Sequence, residues 1–264
     1  MIKSLVAAAG YRDFILNSII RDFKSRYQTS IFGAAWLVLQ PLAMITVYTV
    51  IFSEVMKARM PDNNGPFAYS IYLCAGLLTW GLFSELVARL INIFVDSGNY
   101  LKKLNFPRIC LPIISIGVSF TNFLIIFSLY VMFLLISGNF PGFEILYIIP
   151  LLVIQILFAT GLGITLGVLN VFFRDVGQFM NIVLQFWFWF TPVIYLINIL
   201  PEWARHWLLM NPMTGIIMGY QNIFVNHQAP EWSNVTLAMI LAVFFNITAF
   251  YLYRKHSGEM VDEL

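Results

Sequence analysis

Charge is scarce in this sequence. Asp, Glu, Lys and Arg make up 11% of the 264 residues, where soluble domains carry about 25%, so a water-soluble enzyme of this length is excluded. Cysteine is nearly absent: Cys74 and Cys110 stand alone, with neither a Cys-x-x-Cys pair nor nearby histidines, which leaves a disulfide framework or a bound metal unsupported. The three histidines, His206, His227 and His256, are scattered. A net charge of +2 provides no basic face large enough to cover phosphates, so no nucleic acid is expected as a partner. Gly-x-Ser-x-Gly, His-Glu-x-x-His and paired intramembrane aspartates are all missing, and none of the six lysines follows a glycine. The chain has no catalytic constellation and no P-loop; no cofactor is expected on it, and if ATP is used, a separate subunit supplies it.

What is abundant is apolar surface. Sixty per cent of the residues are apolar and 17% aromatic, the opposite of a disordered composition and the signature of an all-α, polytopic membrane protein. A helix needs about 20 apolar residues to cross roughly 30 Å of hydrocarbon. Six segments meet that length, at about 31–53, 67–91, 109–136, 145–171, 178–199 and 232–253. One further uncharged stretch, 207–230, is interrupted by Asn211-Pro212, glycines and amides. Its apolar pieces are too short to span, so it reads as two short re-entrant or interfacial helices broken at Asn211-Pro212.

With six spans, both termini share one side. That side holds Lys3, Arg12, Arg21, Lys24, Arg26, Arg89, Lys102, Lys103, Arg108, Arg174, Arg254 and Lys255, twelve of the fifteen basic residues, and only Lys57, Arg59 and Arg205 fall opposite. The positive-inside rule makes the shared side cytoplasmic. The chain divides into a cytoplasmic amphipathic helix within residues 1–30 and a transmembrane domain at 31–264. In the first part Ile15, Ile19, Phe23 and Tyr27 recur at steps of four, the pattern of a helix lying in the membrane interface with its apolar side down. It is not a cleaved signal, because its apolar piece is short and basic residues follow at once.

Four features could carry function. Glu85 and Arg89 lie four apart on one helical face near the end of the second span, either an intramembrane functional pair or mutual neutralisation. Ala159, Gly163 and Gly167 form a small-residue stripe suited to close helix packing. The run Phe186-Trp187-Phe188-Trp189-Phe190, with Tyr195 nearby, is dense in rings, either lipid-facing and interfacial aromatics or the lining of a pore. Consecutive residues cover every helix face, so some of these rings point inward, where they could line a pore for a sugar polymer whose C–H faces stack on aromatic faces. Tyr48 and Phe52 of the first span are their candidate partners. Finally, the loop 96–108 places Tyr100, Leu101 and Leu104 on one side of a short helix ended by Pro107: either a basic loop that fixes topology or a docking peg for a cytoplasmic partner.

The motifs also occur in a telling order. Arg21-Asp22-Phe23-Lys24-Ser25-Arg26-Tyr27 precedes Gly33-Ala34-Ala35-Trp36 and Gln40-Pro41. Then come Asn105-Phe106-Pro107-Arg108, Asn170-Val171-Phe172-Phe173-Arg174-Asp175-Val176, Thr191-Pro192-Val193-Ile194-Tyr195 and Asn211-Pro212. This succession, covering nearly the whole chain, resembles the ABC-2 type permeases, and within them the membrane subunits that export O-antigen, capsular or teichoic-acid polysaccharides. The resemblance implies a homodimer in the bacterial inner membrane, working with two P-loop ATPase subunits that bind ATP and Mg²⁺, and moving an undecaprenyl-linked polysaccharide. It implies an interface helix that includes Arg21, Phe23, Lys24, Arg26 and Tyr27, and a coupling helix of Ser97, Asn99, Tyr100, Leu101, Lys102, Lys103 and Leu104 seated in the ATPase. It implies a channel lined by the first and fifth spans, with Tyr48, Phe52, Phe186, Trp189, Phe190 and Tyr195 as candidates, and a periplasmic gate within 202–226 that includes Trp203, Trp207, Asn211 and Pro212.

Physical considerations favour the same architecture. A glycan drawn through lipid leaves hydroxyls without partners, at about several kcal/mol each, so it needs a wet tunnel, and six helices are too few to enclose one unless two copies meet about an axis. An ABC-2 exporter of drugs or lipids is the alternative within transport. An intramembrane glycosyl- or acyltransferase is the alternative outside it, and would need an embedded acid, base or histidine.

Overall fold

The computed structural model of the chain describes residues 10–27, 67–98, 109–256 and 258–263, with a few residues between 35 and 47. Every regular element among them is helical: α1 (Arg12–Tyr27), α2 (Ala68–Asp96), α3 (Cys110–Ile136), a 3₁₀ segment (Gly142–Tyr147) running into α4 (Ile148–Phe172), α5 (Asp175–Trp189), α6 (Glu202–Leu209), α7 (Pro212–Asn226), α8 (Trp232–His256) and α9 (Glu259–Glu263). Four of these are long and apolar enough to cross a membrane, namely Ala68–Asp96, Cys110–Ile136, Gly142–Phe172 and Trp232–His256, matching the second, third, fourth and sixth expected spans. The first expected span lies mostly outside the described residues.

α2 is the centre of the bundle. Seventy-two per cent of its most apolar window is buried inside the chain, against 22% for α3 and for α8. A helix that is apolar all round and covered all round belongs in a core, whereas α3 and α8 keep a broad apolar face for lipid. α2 touches α3, α4, α5 and α7, while α4 also runs along α8.

The stripe of small residues acts in packing, as its spacing implied. Ala159 is fully buried. A Cβ added at Gly163 would sit 2.6 Å from Leu90 Cβ, and one at Gly167 would sit 2.5 Å from Leu90 O. At Gly167 the backbones of α2 and α4 therefore meet directly, and at Gly163 the Leu90 side chain lies against the α4 backbone, the close approach that small residues allow in membranes. Asn170 then fastens the turn into α5: its Nδ2 donates to Ile91 O (3.1 Å) and its Oδ1 accepts from Gly177 N (2.8 Å).

Two expectations change. The fifth expected span, 178–199, is helical only as far as Trp189. At about 1.5 Å per residue the 15-residue α5 reaches about 22 Å, short of the hydrocarbon core. Pro192 is the reason, since it lacks an N–H and its ring excludes the preceding turn of helix; the chain leaves the helix at Phe190 and continues irregularly to a 3₁₀ turn at Ile197–Ile199. The segment that follows does break at Asn211-Pro212 as expected. Its second helix is buried in the bundle rather than interfacial: Met213, Ile216, Ile217, Tyr220, Ile223 and Phe224 of α7 are fully covered.

The second change concerns α1. Ile15, Ile19 and Phe23 are partly covered on the side packed against α3, and Ile19 seats on Gly117. The apolar side chains left exposed are Phe14, Leu16 and Ile20, so the stripe read as facing the membrane faces protein.

Filling the α2–α4 seam should be costly. Gly167→Leu is expected to destabilise by about 1–3 kcal/mol through overpacking and to lower the thermal midpoint of the detergent-solubilised protein by about 5 °C. Ile240→Leu, on the exposed face of α8, should leave that midpoint unchanged.

Candidate functional site

Two polar constructions stand out in this apolar bundle. The first joins α1, α2 and α3. Arg89 Nε donates to Glu85 Oε1 at 3.0 Å, and an Arg89 terminal nitrogen reaches Asp22 Oδ2 at 3.3 Å. Asn122 Nδ2 donates to Glu85 Oε2 at 2.7 Å. Arg89 and Glu85 are about one-fifth exposed. Of the two readings of this pair, the geometry favours neutralisation, and it adds a structural role: the guanidinium ties α1 to the central helix. The pattern of the second span pointed to the Glu85–Arg89 pair. Asp22 and Asn122 were not legible, because their partners lie 67 and 37 positions away.

The second construction surrounds the break after α5. Thr191 Oγ1 donates to Trp187 O at 2.7 Å. Asn211 Nδ2 donates to Phe190 O (3.0 Å) and to Thr191 Oγ1 (2.8 Å), while its Oδ1 accepts from Trp187 Nε1 (2.8 Å) and from Met213 N (3.0 Å). Asn211 is thus the N-cap of α7, with Pro212 at its first turn, the positions these residues favour, and it also clasps the end of α5. From α2, Tyr69 OH donates to Ile194 O (2.7 Å) and Tyr72 OH to Tyr195 O (2.8 Å), with Pro192 O 3.2 Å away. Gln221 Nε2 of α7 donates to Pro192 O at 3.1 Å. The loop lies close enough to α2 that a Cβ at Gly76 would stand 2.9 Å from Val193 O.

The aromatic run divides as a helix requires. Trp187 and Phe188 turn inward onto Trp80 and Phe83, with ring centroids 5.3 Å apart for Phe83–Trp187 and 5.8 Å for Trp80–Phe188; Phe158 stacks on Phe83 at 5.5 Å. Phe186, Trp189 and Phe190 turn outward and are more than 60% exposed. Tyr195 is only half-covered and folds back, its hydroxyl donating to Trp189 O at 3.0 Å. Trp203 and Trp207 of α6 are exposed.

The outward rings have neighbours that sequence reading passed over. Gln178, Asn181 and Gln185 are exposed on the same side of α5 as Phe179, Ile182, Phe186 and Trp189, while Gly177, Met180 and Leu184 face the bundle. None of the three amide side chains bonds to another described residue. Their spacing of three and four within an uncharged run is the signal that could have revealed them. Amides in a row are costly against lipid, so this face belongs to water or to protein.

The other expected residues fall as follows. Ser97 ends α2, its N–H bonded to Ile93 O at 3.2 Å, and 99–104 lie outside the described residues, as do Tyr48 and Phe52. Arg21 and Lys24 are exposed on α1 and Phe23 is partly covered; the side chains of Arg26 and Tyr27 lie outside the described residues. Among the described residues no group of three His, Cys, Asp or Glu side chains could hold a metal.

Comparison with known proteins agrees with this architecture. The family described as ABC-2 type transporter matches residues 15–225. An O-antigen export system permease protein, RfbA of Myxococcus xanthus, is 29% identical over 266 residues that cover 100% of both chains. RfbA of Klebsiella pneumoniae is 27% identical over 236 residues, 89% of this chain and 88% of the relative. The polysialic acid transport protein KpsM of Escherichia coli is 24% identical over 208 residues, 75% of this chain and 76% of the relative.

Both polar constructions can be tested by thermal unfolding in detergent. Arg89→Met takes the cation away from two carboxylates and should cost about 1–3 kcal/mol; adding Glu85→Gln should restore part of that loss, because it removes one of the charges left without its cation. Asn211→Ala should cost about 1 kcal/mol or more, at about 1 kcal/mol per hydrogen bond lost. Asn211→Asp, which keeps both acceptor bonds and loses both donor bonds, should fall between Asn211→Ala and the unaltered chain.

Proposed function

The chain belongs to the ABC-2 type transporter family, and on that premise we propose that it is the membrane-spanning permease subunit of an ATP-driven exporter of polysaccharide. O-antigen export system permease proteins and a polysialic acid transport protein are its relatives. The observation that carries the reading is the outer face of α5, where free amides alternate with aromatic rings on a helix too short to span by itself. Rings offer stacking surfaces to the C–H faces of sugars, and amides both donate to and accept from hydroxyls.

In this proposal the α5 faces of two identical subunits line a wet passage through the bacterial inner membrane. Each subunit crosses six times with both termini in the cytoplasm, its first crossing falling within 31–53. The cargo is an undecaprenyl-linked glycan of the O-antigen kind. Two P-loop ATPase subunits bind ATP and Mg²⁺ and drive the cycle. They engage the interface helix and the segment 97–104, which continues directly from the central helix α2, so that force applied there reaches the middle of the bundle. Trp203, Trp207 and the Asn211-Pro212 junction form the periplasmic gate. The permease contributes the path and its shape; the chemistry belongs to its partners.

The test is export in cells lacking the native gene. Trp189→Ala should lower surface glycan at least severalfold while the membrane abundance of the permease stays unchanged, because among the described residues Trp189 is held by its backbone and by an edge-to-face contact with Phe188. Unchanged surface glycan would remove Trp189 from the passage.

A further inference from the structure

The charge of the α5 face has a chemical consequence beyond polysaccharide export. From Val176 to Pro201 the chain has no Asp, Glu, Lys or Arg. From Gln178 onward the outward side chains of α5 are amides at 178, 181 and 185 and apolar groups at 179, 182, 186 and 189, with Phe190 just beyond the helix. In sequence this stretch is flanked by charges of both signs. Before it stand Arg174 and Asp175, adjacent and opposite in sign. After it α6 carries Glu202 and Arg205, one of whose terminal nitrogens donates to Asn198 O at 3.3 Å. The sequence from 31 to 53 has no charged residue either.

Such a wall discriminates by charge. The face of an aromatic ring is the negative lobe of its quadrupole, which attracts cations and the weakly positive C–H faces of sugars and repels a carboxylate or phosphate. Amides pair with hydroxyls without preferring either sign, since each offers two donors and an acceptor. Passages for anions instead set Arg or Lys along the path, because within a low-dielectric wall an uncompensated negative charge is penalised far more than in water. A polymer bearing an acid on every repeat would meet this penalty at every step.

We infer that the passage selects an uncharged glycan and discriminates against polyanionic ones, with Gln178, Asn181 and Gln185 reading hydroxyls between the rings of Phe179, Phe186 and Trp189. This rests on α5 lining the path.

The experiment reconstitutes the permease with its ATPase in vesicles and supplies two glycans on the same lipid, equal in length, one neutral and one with a carboxylate on each repeat. The neutral glycan is expected to enter the lumen at least tenfold faster per ATP hydrolysed. Replacing Asn181 and Gln185 by Lys should shrink that ratio severalfold, in a variant whose elution in size-exclusion chromatography matches that of the unaltered protein. Equal rates for the two glycans, or faster transport of the acidic one, overturn the inference and leave the exporter reading standing. Transport of neither removes both.

Discussion

The structure depends on how it satisfies a stretch of backbone that leaves the helix inside an apolar bundle. In hydrocarbon an unpaired carbonyl has no water to turn to, and irregular chain is tolerated only where protein surrounds it. After Trp189 the carbonyls of Phe190, Pro192, Ile194 and Tyr195 find side-chain donors in Asn211, Gln221, Tyr69 and Tyr72. These donors come from α2 and from the start and middle of α7. The requirement explains why α7 is drawn into the core instead of lying at the surface, and why two tyrosines and a glutamine occupy covered positions in otherwise apolar helices.

The same requirement fixes the outward face of α5. Because Trp187 is held inward by Asn211 and by the rings of Trp80, Phe83 and Phe158, its neighbours Phe186, Trp189 and Phe190 are turned outward. One rotational setting of α5 thus serves both the core and the outward aromatic face. At the other end of the bundle the Asp22–Arg89–Glu85–Asn122 chain of contacts sets the position of α1. Buried or half-buried charges are poor sources of stability but strong determinants of register, since one unpaired member is heavily penalised.

Much of this was legible in the sequence, and the residues show where legibility ends. Long uncharged runs announced four helices that the structure contains, and Asn211-Pro212 announced a break that is there. Gly163 and Gly167 announced a close approach, though not that Leu90 would be what they meet. The end of α5 was missed because 178–199 is uncharged throughout: hydropathy registers composition, whereas Pro192 acts through geometry. The orientation of α1 was missed because Ile15, Ile19 and Phe23 suit lipid and protein equally, and the deciding groups, Gly117 and Arg89, are far along the chain. The amide row was overlooked beside the rings, which dominate any reading of composition. Membership in the ABC-2 transporter family was legible from the order of short motifs, each of them weak alone.

The seam between α2 and α4 sets a mechanical limit. Where Gly167 lies against the carbonyl of Leu90, there is no rotamer to flip and no methyl group to slide, so the two helices behave as a single plank. Any cycle that opens and closes this protein must therefore bend at joints cushioned by side chains, and the boundary between α2 and α5, filled by rings that meet edge to face, offers such a cushion beside a rigid board.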